Sequence, residues 1–279
     1  MATKLTLDGG FALVTGAASG IGKESAFAFA AAGVQGVLFA DIDVEGAKKA
    51  AEESKQYATS AKYRAEFVDV DVTSEESVKK MVALAKEKFG RIDYNVNSAG
   101  IGNPSLARTK HIKADVFRQT LETNVTGTML CVKAVTGVMA EQEPRSYKGR
   151  HGDRSLGRGS IVNLGSLNSY VAFPGTLSYT TAKHAVMGIT RSAAMDCLSD
   201  QIRVNAVCPF YVDTPMMQKS IERVPPLGDM IKKVSPLERA ATVDEVADYI
   251  VFLCSPSATY INGTGLAIDA GVTLTAQTV

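Results

Sequence analysis

The 279-residue chain has no excess of charge of either sign, with 30 Lys and Arg against 29 Asp and Glu. Nucleic acid and anionic lipid are drawn by a net positive field, so the expected partner is a small molecule, with no nucleic acid and no membrane. Cysteine is scarce. Cys131, Cys197, Cys208 and Cys254 are far apart among apolar neighbours and match neither a CxxC redox pair nor a zinc spacing, which predicts reduced core residues. His111, His151 and His184 do not pair with carboxylates at metal spacing, so no metal site is expected. No uninterrupted apolar run approaches the roughly 18 residues of a membrane span. The longest candidate, "SAFAFAAAGVQGVLFA", is split by Gly33 and Gly36 and reads as helix end, turn and strand. The opening "MATKLTLDGG" has no basic stretch followed by an apolar one, and a soluble, cytoplasmic protein is the expectation.

What is present is alternation. Short runs rich in Val, Ile and Phe, namely "FALVTG", "GVLFADID", "AEFVDVDV", "DYNVNSAG", "SIVNLGS", "RVNAVCP" and "GLAIDAG", alternate with helical patterns over 21–32, 45–57, 74–89, 114–139, 178–198 and 243–254. Successive βα units predict an α/β fold with about seven parallel strands and helices on both faces. No repeat or linker divides the chain, so residues 1–279 are expected to form one domain. The polar, locally basic segment 141–160, "EQEPRSYKGRHGDRSLGRGS", reads as a surface loop or an anion patch. Because it precedes a strand, it is expected away from the strands' carboxyl ends and receives no catalytic role.

"LVTGAASGIG" joins the first strand to the first helix through Gly16, Gly20 and Gly22. This spacing suits either a tight connection or a cradle for a dinucleotide pyrophosphate, which needs a sharp turn, no Cβ atoms and amide donors at a helix N-terminus. Asp41, ending the second strand, is placed to accept hydrogen bonds from a ribose and to repel a 2′-phosphate, favouring NAD over NADP; turn bracing or capping is the other reading, a role open to Asp43 as well. In "SYTTAKHAV", Tyr179 and Lys183 stand four apart and share a helical face. A nearby cation favours phenolate, and activity near neutrality needs a tyrosine lowered from about 10 at a cost of roughly 4 kcal/mol, drawn from Lys183 and an oxidised nicotinamide. Each of these residues alone has a bland reading, Ser166 as a turn hydroxyl, Asn124 at a helix bend, Tyr179 and Lys183 as a half-buried pair. Ser166 lacks a GxSxG elbow, so a serine-hydrolase triad does not fit.

In order along nearly the whole chain, "TGAASGIG", "NSAG", "TNVTG", "LGS" and "YTTAK" resemble the TGxxxGIG, NxAG, Asn, Ser and YxxxK pattern of the short-chain dehydrogenase/reductase family. The resemblance implies a single Rossmann-like, doubly wound domain that binds NAD. It assigns Gly16, Ser19, Gly20, Ile21, Gly22, Asp41 and Ile42 to the cofactor's phosphates and ribose, Asp71 and Val72 to the adenine pocket, and Asn97, Ala99 and Gly100 to the adjoining wall. Pro209, Val212 and Thr214, with Tyr179 and Lys183, fall near the nicotinamide. Asn124, Ser166, Tyr179 and Lys183 correspond to the catalytic tetrad, with Tyr179 as proton donor or acceptor, Ser166 orienting the substrate oxygen and Asn124 holding a water that links Lys183 to solvent. One departure is Pro209-Phe210 where the family has Pro-Gly; the ring shapes the substrate pocket or changes how the nicotinamide sits. The stretch 211–236 resembles the family's variable substrate lid. With Ser166, Asn168, Tyr170, Phe173, Phe210, Tyr211, Met216 and Met217 toward the substrate, a bulky, mostly apolar secondary alcohol or ketone, polycyclic or steroid-like, is expected. A homo-oligomer, tetramer or dimer, is implied through the helices around Asn124 and Tyr179. A nonredox isomerase, epimerase or cyclase on this scaffold, and a noncatalytic NAD sensor, remain alternatives.

Overall fold

In the computed structural model, which describes residues 6–7, 9–103 and 106–274, each of the seven apolar runs forms a strand. They are β1 (Phe11–Thr15), β2 (Gly36–Asp41), β3 (Arg64–Asp69) and β4 (Tyr94–Asn97), then, after a hairpin of β5 (Arg145–Gly149) and β6 (Gly152–Gly157), β7 (Gly159–Leu164), β8 (Ile202–Pro209) and β9 (Gly265–Ile268). All seven pair in parallel in the order β3-β2-β1-β4-β7-β8-β9. The central strands are near-continuous apolar runs because helices cover both faces. Leu13, Leu38 and Ile161 enter one core while their chain neighbours Val14, Phe39 and Val162 enter the other, as the two-residue strand period requires.

The covering helices are α1 (Gly20–Ala31), α2 (Val44–Ser54), α3 (Glu75–Phe89), α4 (Ala114–Leu121), α5 (Gly127–Ala140), α6 (Leu177–Asp196), α7 (Pro215–Arg223), α8 (Pro226–Val234) and α9 (Val243–Cys254). Asp43 and Ser74 cap α2 and α3 by accepting from the N–H groups of Gly46 and Ser77. All four cysteines are buried and unpaired. Among the described residues no helix is long and apolar enough to cross a membrane, and no group of three or more His, Cys, Asp and Glu is placed to hold a metal.

Three expectations need correction. The helix expected over 114–139 is broken by a π turn, Glu122–Thr126, because the Asn124 side chain is drawn onto the Ile101 backbone and one residue too many is accommodated between α4 and α5. The stretch 211–236 is not an irregular loop, since it carries α7 and α8. Pro215 and Pro226 open those helices and Pro225 immediately precedes α8, where a missing N–H costs nothing, and Thr214 caps α7 by accepting from the Met217 N–H. Segment 141–160 contains the antiparallel β5–β6 hairpin, closed at Gly149 and Gly152, with the Arg154 guanidinium 5.8 Å from the Tyr147 ring centroid. Both of its faces meet water, so no apolar alternation marks it. Arg145 donates to the Tyr94 hydroxyl at 2.8 Å, which fixes the hairpin at the amino end of β4, opposite the strands' carboxyl ends.

Candidate active site

Chain order reverses between β1 and β4, and the crevice beyond their carboxyl ends is where open α/β sheets bind ligands. The glycine turn follows β1 into this crevice. Gly16 has φ of 69°, and a Cβ there would lie 2.7 Å from the Ala99 nitrogen; one on Gly22 would lie 2.1 Å from the Gly16 carbonyl oxygen. Neither position accepts a side chain. Ser19 precedes α1 without capping it, and the first turn holds no acid, so its amide dipoles face the crevice uncancelled. The Asp41 carboxylate accepts from the Ala18 N–H at 2.9 Å and the Asp43 N–H at 3.0 Å. It therefore braces the glycine turn, and the oxygens' remaining lone pairs can still meet a ribose hydroxyl. Beside it Ile42 is 72% exposed, and Lys23 is paired with Glu53 at 2.5 Å.

The next residues tie the crevice floor together. Asp71 accepts from the backbone N–H and hydroxyl of Thr73, and Val72 is buried against Gly127. Buried Asn97 donates to Asn163 at 2.8 Å, and Asn163 donates to Thr190 of α6 at 3.0 Å, while Asn97 Oδ1 has no partner. Ala99 donates its N–H to the Thr15 hydroxyl, and Gly100 sits against the Asn124 amide. Asn124 itself donates to the Ile101 carbonyl at 2.9 Å and accepts from the Ile101 N–H at 2.8 Å.

Ser166, Tyr179 and Lys183 converge from the end of β7 and from α6. The Ser166 hydroxyl accepts from the Asn168 N–H at 3.2 Å and acts on the Tyr179 phenol beside it, and Lys183 holds its ammonium 5.5 Å from the Tyr179 ring centroid. Lys183 is only 8% exposed and donates to the Leu164 carbonyl at 2.7 Å. Burial lowers its pKa to about 8. Burial also pushes the Tyr179 phenol up, with the Ser166 hydroxyl acting the other way. The protein by itself thus keeps Tyr179 protonated, and the lowering that neutral activity needs is not present without a further positive charge.

Around this centre Phe173, Phe210 and Tyr211 form an aromatic wall, with ring centroids 6.4 and 4.4 Å apart in that order. Phe210 and Tyr211, with Leu237, Tyr249 and Ile268, also border a cavity of about 400 Å³. Tyr170 turns its hydroxyl to the Gly265 carbonyl at 2.6 Å, and Asn168 donates to Thr180 and Thr176, so both are tied to neighbouring elements. Pro209 is buried at the end of β8, and Val212 is buried in a bridge to Ala241 that anchors the base of the lid. From there α7 reaches across the crevice, with Thr214 facing Gly20 and Met216 facing Gly102, and Met217 beside them on the same helix. Among main-chain groups, the Ala18 amide and the Leu164 carbonyl escaped the sequence reading. Both are main-chain atoms, for which residue identity gives no signal.

A family model described as enoyl-(acyl carrier protein) reductase matches residues 16–273. The chain is 47% identical over 269 residues to the short-chain dehydrogenase anuF of Penicillium roqueforti, covering 96% of this chain and 98% of that protein. Among solved structures, levodione reductase superposes with a TM-score of 0.84 at 30% identity, over 96% of this chain and 99% of the other. A 3-ketoacyl-(acyl-carrier-protein) reductase from Brucella melitensis, complexed with NADH, superposes with a TM-score of 0.81 at 28% identity, over 96% and 100%.

Proposed function

The chain belongs to the short-chain dehydrogenase/reductase family, a family of nicotinamide-dependent oxidoreductases, and on that premise we propose that it uses NAD(H) to interconvert a secondary alcohol and a ketone on a bulky, mostly apolar substrate. The observation that carries this reading is the convergence of Ser166 and Tyr179 beside a buried Lys183 that donates to the Leu164 carbonyl, next to the glycine turn where chain order reverses. A nicotinamide dinucleotide fits the crevice on two structural grounds: Gly22 leaves no room for a Cβ, and the uncapped α1 start offers amide donors to a pyrophosphate. The same crevice presents Asp41 and exposed Ile42 where NADP would need a cation for its 2′-phosphate, which supports NAD.

When bound, the nicotinamide supplies the hydride acceptor for oxidation or the donor for reduction. Ser166 holds the substrate oxygen and aligns it with Tyr179, which removes the hydroxyl proton in one direction and returns it in the other. Lys183, with a pKa of about 8, is mostly protonated at pH 7 and gives the site a fixed positive field. Asn124 fixes the π turn by pairing its side chain with the Ile101 backbone, and in this reading it supports the water that links Lys183 to solvent. Phe173, Phe210 and Tyr211, whose rings tilt by 37° and 54° from one to the next, supply a concave apolar wall suited to a bulky substrate. We place the enzyme in the cytoplasm as a homo-oligomer, tetramer or dimer, assembled through α5 and α6, which expose Met129 and Met195.

The test is separate titration with NADH and NADPH, followed by nicotinamide fluorescence, with no tryptophan in the chain to add an indole background. Tighter NADH binding is expected. Preference for NADPH overturns the reading of Asp41, and binding of neither overturns the redox assignment.

A further inference from the structure

Ser169 belongs to none of the motifs above, yet it is 6% exposed and touches both halves of the catalytic centre. Its hydroxyl donates to the Lys183 main-chain carbonyl at 2.8 Å and accepts from the Ser166 N–H at 3.2 Å. Its own N–H donates to the Ser166 carbonyl at 2.8 Å. One residue therefore grips Ser166 by both backbone groups and binds the helix that carries Tyr179 at the turn of Lys183. Space for that grip is created by Gly165, where a Cβ would lie 3.1 Å from the Ser169 hydroxyl and 2.6 Å from the Cys208 sulfur. An alanine at 169 keeps the short 3₁₀ turn Leu167–Ser169 but leaves the Ser166 N–H and the Lys183 carbonyl without their shared partner.

We infer that Ser169 is a positioning residue of the catalytic centre, a strap that fixes the Ser166 hydroxyl against the Tyr179 hydroxyl by tying the end of β7 to α6. The inference rests on the acid–base role proposed for Tyr179. The strap touches neither the nicotinamide crevice nor the aromatic wall, so its effect falls on the Ser166–Tyr179 contact and not on cofactor affinity. The titratable groups facing Tyr179 are Lys183 on its own helix, Cys208 from β8 and Tyr211 beyond β8. Burial holds the Cys208 thiol and the Tyr211 phenol above their ordinary values.

The experiment reads Tyr179 directly and needs no substrate. Tyrosinate absorbance is titrated against pH in saturating NAD⁺, and the curve for Tyr179→Phe is subtracted to isolate Tyr179. With the strap removed by Ser169→Ala, Ser166 loses its fixed orientation and the Tyr179 midpoint moves up by about half a pH unit or more. Ser169→Thr keeps a hydroxyl and leaves the midpoint within about 0.2 of wild type, while NADH affinity stays within about threefold in both variants. An unmoved midpoint in Ser169→Ala overturns the strap alone, as does a Ser169→Thr midpoint equal to that of Ser169→Ala. If wild type minus Tyr179→Phe shows no ionisation at all, the acid–base reading falls, and the strap with it.

Discussion

Replacing Lys183 with methionine separates what the buried ammonium does for catalysis from what it costs the fold. Burial brings Lys183 from 10.5 to about 8. Between those two pH values the unfolded chain binds more protons than the folded one, so this group makes wild type more stable as pH rises. Its destabilisation is roughly 3 kcal/mol at pH 7 and shrinks to about 1 kcal/mol near pH 9.5. Lys183→Met removes that penalty but strips the Leu164 carbonyl of its charged donor, a loss of about 1.5–3 kcal/mol. At pH 7 the variant is thus expected to be as stable as wild type or up to about 2 kcal/mol more stable, while turnover is lost. The hydrogen-bond term does not depend on pH and cancels in the pH dependence. Urea unfolding followed by far-ultraviolet circular dichroism, at pH 7 and 9.5, should show the variant's advantage falling by about 2 kcal/mol. A difference between the two proteins that stays constant within about 0.5 kcal/mol over that range refutes the buried, desolvated ammonium.

Tyr179→Phe should lower turnover at least about a hundredfold with NADH affinity unchanged, and retained activity would remove Tyr179 as the proton-transfer group. Asp41→Ala should weaken NADH about tenfold, since it frees the Ala18 and Asp43 amides as well as the ribose contact, and should narrow the gap between NADH and NADPH; an unchanged ratio counts against the ribose contact. Phe210→Ala removes the ring packed on Tyr211 and Phe173 and should raise KM for a bicyclic ketone more than for cyclohexanone. Equal changes for both would mean that the wall does not read the bulk of the substrate.

The central strands β1, β2 and β8 were legible because a parallel sheet covered on both faces is written as largely apolar runs, whereas edge β3, with Arg64, Glu66 and Asp69, was legible from its place in the βα alternation. The elements that escaped are those whose cause is local but unmarked or lies far along the chain. The β5–β6 hairpin meets water on both faces and so carries no alternation. Helices α7 and α8 lie in the stretch read only as a variable lid, where Pro215, Pro225 and Pro226 at the helix starts gave no helical period to follow. The π turn depends on Asn124 meeting Ile101, 23 residues away, a contact no helical period announces. At the site, the order of motifs brought Tyr179, Lys183 and Ser166 together. It was silent on direction, and Tyr170 turns to Gly265 while Ser169, between recognisable motif residues, becomes a joint of the centre.

Lys183 shows why direction matters more than residue type here. A buried ammonium is usually compensated by a carboxylate, and a carboxylate beside Lys183 would raise its pKa. It would also cancel the positive field at Tyr179. The structure instead gives the ammonium a neutral partner, the Leu164 carbonyl, at 2.7 Å, and no carboxylate acts on its pKa. A carbonyl dipole fixes the direction of the side chain without neutralising it, so the charge stays available to the phenol. The cost is the lowered pKa itself, which leaves Lys183 near half-protonated around pH 8. Above that pH the field on Tyr179 fades and the unassisted phenol rises further. For alcohol oxidation, which gains from a phenolate as pH rises, the proposed chemistry therefore predicts a rate that climbs toward pH 8 and then flattens. A rate that keeps climbing to pH 10, measured at saturating NAD⁺, would show that Tyr179 ionises without help from Lys183.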